Sequence, residues 1–237
     1  MADKGVLFSA PMILALLAGR KTQTRRLAKA AEMAKVRAGD MIVSWPADQV
    51  QRTGAAFRPA YLVGDRLWVR EEWSIHAAFD GIRACDVKAG SMLYTRADGV
   101  WHHSPEDGNK VGRRRASMHM PRKLSRITLT VTDVLVERLQ SISEADAFAE
   151  GVPEALEGND GDEIYCQTCK GFGVHAALGH GLGVTEVDCR DCATATQRYA
   201  NLWNSLRPRE GERWQDNPWV VAYSFDVRLG NIDEGQS

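Results

Sequence analysis

The clearest pattern in the chain is the alternation of apolar and polar residues over positions 125–139. Ile127, Leu129 and Val131 alternate there with threonines, as in a strand with one face in the core and the other in water. Residues 217–229 form a second β-rich run near the end of the sequence. We therefore predict two long strands at these positions.

Shorter strands are predicted where Gly-Asp turns precede apolar runs. Residues 38–45 and 63–70 each place Gly-Asp before a short β-rich segment, which is typical of a turn that leads into a strand. Residues 5–11 form an apolar lead-in that ends at a proline. These segments predict further strands of the same sheet.

Three helices are predicted from the residues at their ends. The first covers residues 12–18 and stops at Gly19, and the second begins at the N-cap Ser143 and stops at Gly151. The third covers residues 194–206, where apolar side chains recur with helical spacing. The apolar face of this third helix consists of Tyr199, Leu202, Trp203 and Leu206.

Several strands, few helices and no strand–helix–strand rhythm predict an α+β fold, a small mixed β-barrel flanked by helices. We expect a single domain over residues 1–237 with two insertions. The first insertion, residues 74–116, is basic and has little regularity, which favours a functional or mobile excursion. The second, residues 153–193, contains four cysteines.

The composition is ordinary for a globular protein, with 44% apolar and 26% charged residues. No apolar run approaches the length of a membrane span, and the N-terminus lacks the hydrophobic core of a signal peptide. Five cysteines, four of them in Cys-x-x-Cys pairs, suit a reducing compartment. We therefore expect a cytoplasmic protein without a membrane partner.

Charge is distributed unevenly, although the formal net charge is only -1. Residues 20–37 contain seven Lys/Arg and one acid, and residues 110–126 contain seven Lys/Arg and no acid. Residues 144–163 contain eight acids and no base. Such segregation can attract an anionic ligand to one face, but solvated surface charge is the alternative explanation of a single run.

The cysteine pairs predict a structural metal site. Two Cys-x-x-Cys pairs separated by nineteen residues match the spacing of a closed tetrahedral zinc site, while redox chemistry is the less favoured alternative. His175 and His180 lie between the pairs, so a mixed ligand set stays open, and Cys85 is expected to be a small buried residue. The predicted ligands are Cys166, Cys169, Cys189 and Cys192.

The basic loop at residues 19–26 is the strongest candidate for chemistry. Lys21 lies among arginines, and neighbouring cations disfavour its charged form, so it could act as a base toward Thr24. Such a site needs a carboxylate, for which Glu71, Glu72 and Glu150 are the candidates. From the residues alone, simple phosphate binding or exposure to solvent remains the more probable role of this loop.

The run at residues 16–25 resembles the signature of the ASCH-domain family, which belongs to the PUA-like superfamily of small β-barrels. The family's Gly-x-Lys-x-x-x-x-Arg pattern corresponds to Gly19, Lys21 and Arg26. Gly-Asp at residues 39–40 and the terminal aromatic strand also fit this family. The resemblance covers about two-thirds of the chain and excludes both insertions, and it implies a PUA-like fold.

Within that family the chain resembles the amidohydrolases that act on N4-acetylcytidine, and its overall layout also resembles ASCH proteins of phages and prophages. This resemblance implies Lys21, Thr24 and Glu150 as catalytic residues, with hydrolysis of the amide on an N4-acylated cytosine nucleoside or nucleotide. The candidate substrate-binding residues of this chain are Arg20, Arg26, Glu71 and Trp73. The glutamate assignment depends on matching the predicted helix at residues 143–150 to a helix of those enzymes.

The alternative function is an RNA-binding or modified-nucleobase-binding module, with ribonuclease action as a third possibility. Arginines and a stacking tryptophan would form its surface. The candidate cations, besides Arg20, Lys21 and Arg26, are Arg25, Arg113, Arg114 and Arg115. The candidate tryptophans are Trp45, Trp68 and Trp73. The expected partner is therefore a nucleoside, a nucleotide or RNA.

Overall fold

The computed structural model describes residues 2–28, 43–44, 59–91, 93–102, 110–153, 166, 168–169, 174–178 and 184–234, with residues 43–44, 174–178 and 184–188 described by backbone alone. Trp45, His180 and much of the predicted insertion at 153–193 lie outside these residues. No helix in the described part of the chain is long and apolar enough to cross a membrane.

The described residues form eleven strands and three α-helices, so the mixed α+β prediction is confirmed. The strands are β1 Asp3–Leu7, β2 Gln23–Leu27, β3 Val43–Ser44, β4 Arg66–Arg70, β5 Trp73–Ile75, β6 Leu93–Thr95, β7 Val100–His102, β8 Ile127–Arg138, β9 Val174–Leu178, β10 Val184–Asp188 and β11 Trp219–Leu229. The helices are α1 Ala10–Leu17, α2 Glu144–Ala149 and α3 Ala195–Leu206.

Six of the strands pair in one sheet of order β1-β4-β8-β11-β2, and β3 also pairs with β8. β1 is parallel to β4, whereas β4 and β3 are antiparallel to β8. A closed barrel requires every strand to be paired on both edges, but β1 and β2 end this order among the described strands. The described strands therefore form an open sheet and no closed barrel, and the PUA-like barrel stays a prediction.

The chain divides into two compact units, and two of the four boundaries between them fall inside the long strands β8 and β11. Unit one contains Met1–Gly19, Ala60–Asp133 and Ser224–Ser237, and unit two contains Arg20–Pro59 and Val134–Tyr223. Ile127, Leu129 and Val131 of the predicted alternating strand β8 are buried. Thr128 is buried as well, and its hydroxyl donates to the carbonyl of Gly230 at 3.0 Å. The single domain over residues 1–237 stays a prediction.

The segment predicted as a low-regularity insertion, residues 74–116, contains regular structure in unit one. β5, β6 and β7 form a three-stranded sheet with antiparallel pairing. Strands of three residues are too short to show a periodic pattern in the sequence, which explains why they were missed. The apolar cluster beneath them consists of Trp73, Ile75, Val87, Leu93, Met120 and Leu124.

In unit two, α2 and α3 are joined through their first turns. The Ser143 hydroxyl accepts a hydrogen bond from the Asp146 amide at 3.1 Å, as its predicted role as N-cap requires. The Glu144 carboxylate accepts from the backbone amides of Ala195 and Thr196, at 2.7 and 3.1 Å. One acidic side chain of α2 thus binds the unpaired amides that begin α3.

The two glycines predicted to end helices adopt the required conformation. Gly19 and Gly151 have φ of +71° and +94°, in the left-handed region where a glycine carries no steric penalty. The predicted apolar face of α3 is confirmed for Tyr199, Leu202 and Trp203, whereas Leu206 is exposed. Lys21 follows Gly19 by two residues, and Glu150 directly precedes Gly151. The turns at these two glycines therefore set where Lys21 and Glu150 lie.

Candidate active site and metal centre

The basic loop lies beside the C-terminal end of α2 in unit two. Lys21 and Glu150 form an isolated antiparallel bridge, and the Thr22 amide donates to the Ala149 carbonyl at 2.8 Å. The backbones of the two segments are therefore in direct contact, although they are more than a hundred residues apart in the sequence. This contact places the predicted lysine and the predicted glutamate side by side.

The Lys21 amine is buried and fully hydrogen-bonded. Its Nζ donates to the Glu150 carboxylate Oε2 at 2.8 Å, to the Glu150 carbonyl at 2.7 Å and to the Gln23 carbonyl at 2.8 Å. Three acceptors match the three donors of an ammonium group. Only 1% of the residue is exposed, so nothing can reach the amine unless one of these contacts is displaced.

Burial is the main cause of the lowered pKa of Lys21. Desolvation disfavours the ammonium form, the nearby Glu150 carboxylate opposes this effect, and the charges of Arg26 and Arg25 add smaller contributions in the lowering direction. From the sequence, a lowered pKa of Lys21 is predicted from the neighbouring cations alone. Desolvation has the larger effect because the side chain lies inside the fold.

Glu150 is the centre of a larger polar cluster. Its Oε2 faces Lys21, while its Oε1 lies 3.4 Å from Arg25 Nη1 and 3.4 Å from the Tyr199 hydroxyl. The pKa of Tyr199 is raised well above its ordinary value, first by burial and then by the negative charge of Glu150. Tyr199 therefore remains a neutral phenol whose O–H can donate to the carboxylate.

Arg25 belongs to this buried cluster, which corrects its predicted role in nucleic-acid binding. Its Nη2 lies 2.7 Å from the buried carboxylate of Glu137, and its Nη1 contacts Glu150 and the side chain of Gln23. Burial disfavours its charge, but Glu150 and Glu137 outweigh this effect and raise the pKa of Arg25. A guanidinium enclosed in this way cannot contact a polynucleotide on the surface.

Thr24, the third predicted catalytic residue, is buried on β2. Among the described residues, no hydrogen bond joins its hydroxyl to Lys21 or Glu150. Of the predicted flanking cations, Arg20 is exposed and donates to the Gly151 carbonyl at 3.0 Å, whereas Arg26 is partly buried. The structure thus brings Lys21 and Glu150 into contact. Thr24 lies three residues after Lys21 but forms no hydrogen bond with either of them in the described part of the chain.

Glu71 and Trp73, which were predicted to bind the substrate, are both buried in unit one. The Glu71 carboxylate accepts two hydrogen bonds from Arg126, at 2.8 and 2.9 Å. Trp73 is 0% exposed and belongs to the apolar cluster beneath β5–β7. Both side chains are enclosed by their own unit. Trp68, a stacking candidate, is also buried.

The three consecutive arginines of the basic segment have different environments. Arg113 is exposed. Arg114 is paired with Glu72, whose carboxylate lies 2.8 Å from the Arg114 Nε. Arg115 is buried, with its guanidinium carbon 5.1 Å from the centre of the Trp73 ring. The three predicted nucleic-acid contacts are therefore one exposed arginine, one ion-paired arginine and one arginine whose guanidinium packs over Trp73.

The four paired cysteines converge in unit two and could hold a metal ion. All four are buried, and their sulfurs lie within 4.8 Å of one another. The Sγ atoms of Cys166 and Cys189 are 3.6 Å apart, and those of Cys169 and Cys192 are 3.4 Å apart. A tetrahedral ion with metal–sulfur bonds of about 2.3 Å separates its sulfurs by about 3.8 Å. The observed spacing fits such a site.

The chemistry of these thiols also fits a cation. Burial raises the pKa of Cys189 and of Cys192, and contacts with neighbouring thiols raise the pKa of Cys192 further. A raised pKa means that burial disfavours the thiolate form. A bound metal ion would offset this effect because it stabilises thiolates directly. Of the alternative ligands, His175 lies on β9, where the backbone alone is described. Cys85 is exposed, contrary to the prediction that it is buried.

Several members of the cluster were not identified as site residues in the sequence. Tyr199 had been assigned to the core face of α3, and Glu137 lies on β8 without any local motif. Arg198 was also missed, and its Nη1 donates to the Cys192 carbonyl at 3.0 Å. The partners of Tyr199 and Glu137 are distant in the sequence, so no local pattern could have identified either residue.

Comparisons with known proteins found no match to this chain. No protein-family model, no curated protein and no solved structure matches it.

We predict that Arg25→Met lowers the free energy of unfolding by about 3–5 kcal/mol, because it leaves the Glu137 carboxylate buried without its partner. Urea denaturation measures this loss. The double variant Arg25→Met/Glu137→Met should recover part of the stability, since it removes the unpaired charge as well. Arg114→Met is the matched control and should change stability little, because its pair with Glu72 is exposed. Equal losses in the two single variants would contradict the prediction.

Proposed function

We propose that this chain hydrolyses the amide of an N4-acylated cytosine nucleoside or nucleotide, and that its fold is of the PUA-like ASCH type. The observation that carries the proposal is the buried ion pair between Lys21 Nζ and Glu150 Oε2, at 2.8 Å. Those two residues, together with Thr24, are the ones that the family resemblance implies. Enzymes commonly use such enclosed acid–base pairs because burial moves pKa values toward the working pH.

The hydrogen bonds of Lys21 support a proton transfer within this pair. A neutral amine has two N–H donors and one lone pair. If the carbonyls of Gln23 and Glu150 accept both donors, the lone pair faces the Glu150 carboxyl group, and one proton can be held by either residue. Because the pair is buried, the substrate must displace one of these contacts when it enters.

The proposed reaction consumes one water molecule for each amide bond that is broken. Water, or the Thr24 hydroxyl, attacks the carbonyl carbon of the acyl group, and its proton passes to the neutral Lys21 amine. That proton then moves from Lys21 to the Glu150 carboxylate, which delivers it to the N4 nitrogen of cytosine as the carbon–nitrogen bond breaks. The products are the free cytosine nucleoside and the carboxylic acid. If Thr24 is the nucleophile, a water molecule subsequently hydrolyses the acyl–threonine ester.

We predict that the full-length chain releases cytidine from N4-acetylcytidine and that Lys21→Met lowers the rate at least about 100-fold, the scale of a lost acid–base group. Glu150→Gln should have an effect of similar size. Chromatographic detection of cytidine measures the rate. Lys4→Met is the matched control, because Lys4 also forms an ion pair, with Asp65 at 2.7 Å, but lies in unit one. Wild-type release no faster than that of Lys21→Met would reject the proposal for this substrate.

The pH dependence of the rate tests the base assignment. Burial lowers the pKa of Lys21 below its ordinary value of 10.5, so the neutral base forms at lower pH than in an exposed lysine. We expect kcat/KM to rise with pH through this lowered pKa and to level off before pH 10.5. The profile of Lys4→Met should follow that of the wild type. A rate that falls with increasing pH over this interval would contradict the role of Lys21 as the base.

We propose that the metal ion of the four-cysteine cluster is zinc and that its role is structural. Four thiolates leave no open position for a substrate, and this ligand set is typical of closed zinc sites. The cysteines would hold the ion, and the ion would fix the chain segments that carry them. The support for this proposal is the burial of all four sulfurs and their spacing.

We predict that the purified chain contains bound zinc and that Cys166→Ser and Cys192→Ser each remove most of it. Elemental analysis by mass spectrometry measures the metal, and thermal denaturation should show a lower Tm in both variants, because metal binding is coupled to folding. Cys85→Ser is the control and should retain the zinc, since that thiol lies outside the cluster. A wild-type chain that is free of metal and contains disulfides would favour the redox alternative instead.

A further inference from the structure

Unit one contains a pocket of about 280 Å³ that the proposed reaction does not use. The basic segment forms much of its wall, within residues 110–115, which run antiparallel beside residues 73–77. Hydrogen bonds between the Trp73 and Arg115 backbones, at 2.8 and 3.2 Å, hold this segment in place. The lining residues are Ala84, Arg113, Arg114, Arg115, Ala116 and His119.

The positive charges around this pocket are not all equivalent. Arg114 is paired with Glu72, so its charge is largely neutralised. Arg113 is exposed and has no ion pair among the described residues, and its backbone amide donates to the Asp80 carboxylate at 2.9 Å. His119 is also exposed. The unpaired positive charge at the pocket therefore comes from Arg113 and Arg115, with His119 as a further donor.

Arg115 has an unsatisfied hydrogen-bond donor. The residue is 7% exposed, its Nη2 donates to the Asp80 carbonyl at 3.2 Å, and its guanidinium lies over the Trp73 ring. Its Nε is buried without a hydrogen-bond partner in the described structure. A buried N–H that lacks an acceptor is unfavourable and uncommon in folded proteins. A ligand that supplies an acceptor here would remove this cost.

The arrangement suits a phosphate group better than a carboxylate. Phosphate offers several oxygens in a tetrahedral arrangement, so donors can approach from different directions, whereas a carboxylate offers only two oxygens in one plane. Guanidinium groups match phosphate oxygens in charge and geometry. A volume of about 280 Å³ lies just below the usual range for drug-sized ligands, so the pocket suits one phosphate group and its immediate substituent.

We propose that unit one binds a phosphate group in this pocket, held by Arg113, Arg115 and His119. The phosphate belongs either to a free nucleotide or to the end of an RNA strand, and the chemistry of recognition is the same in both cases. Arg114 contributes to the wall of the pocket but not to binding, because Glu72 already occupies its guanidinium. This site is independent of the Lys21–Glu150 pair.

Isothermal titration of the full-length chain with inorganic phosphate and with CMP tests the proposal. We expect both ligands to bind, with affinity at least about tenfold weaker in Arg113→Gln, the scale of one lost charge-assisted hydrogen bond. Affinity for CMP should also fall as salt increases. Arg209→Gln is the matched control, because that exposed arginine lies in unit two. It removes the same charge and should leave the affinity unchanged.

Two further experiments are needed. One identifies the source of the phosphate, and the other tests whether weaker binding results from misfolding. A short single-stranded RNA is compared with and without a 5′-phosphate, and a preference for the phosphorylated strand that is lost in Arg113→Gln assigns the group to RNA. Arg115→Lys is checked by circular dichroism, and His119→Gln provides an exposed variant that should fold normally. Both should weaken binding.

The proposal is overturned if neither phosphate, CMP nor phosphorylated RNA binds, or if Arg209→Gln weakens binding as much as Arg113→Gln does. Lys21→Met should retain phosphate binding, so that failure of the hydrolase proposal and failure of this one are separate results.

Discussion

The structure of unit two depends on one buried ion pair, Lys21 with Glu150. An ammonium group and a carboxylate removed from water are stable only when each is paired and hydrogen-bonded. Lys21 meets this requirement with two backbone carbonyls besides the carboxylate. Glu150 meets it with Arg25 and Tyr199. Loss of either partner would leave a charge buried in the core, so the basic loop and the end of α2 are bound to each other.

Helix α3 connects this pair with the cysteine cluster. Tyr199 reaches the Glu150 carboxylate, and the preceding residue, Arg198, donates to the carbonyl of Cys192. Glu144 of α2 binds the first amides of α3. A metal ion in the cysteine cluster would therefore hold the chain just before α3, and the position of Tyr199 depends on that helix. A metal ion in the cysteine cluster and the Lys21–Glu150 pair would thus be coupled through α3 without sharing a ligand.

The positive charge of the sequence is used in different ways in the two units. In unit two, Arg25 is enclosed by carboxylates and stabilises the fold. In unit one, Arg126 is held by Glu71 and Asp98, whereas Arg113 remains open to a ligand. A run of basic residues thus contains structural and exposed members together. The structural arginines differ from the exposed ones in having a carboxylate beside them in the fold, because a buried cation needs such a partner and an exposed one does not.

Features that depend on neighbouring residues could be predicted from the amino-acid sequence. These are the alternation of β8, the Ser143 cap, the glycines that end α1 and α2, the ligand spacing of the cysteines and the candidacy of Lys21. The family resemblance added Glu150. Contacts between distant residues became visible in the fold alone: Lys21 touches Glu150, Arg25, Arg115, Glu71 and Trp73 are buried, and Tyr199 joins the cluster. The reason is physical: caps, turns and periodicity act over a few residues, whereas burial and ion pairing depend on groups that the fold brings together from distant positions.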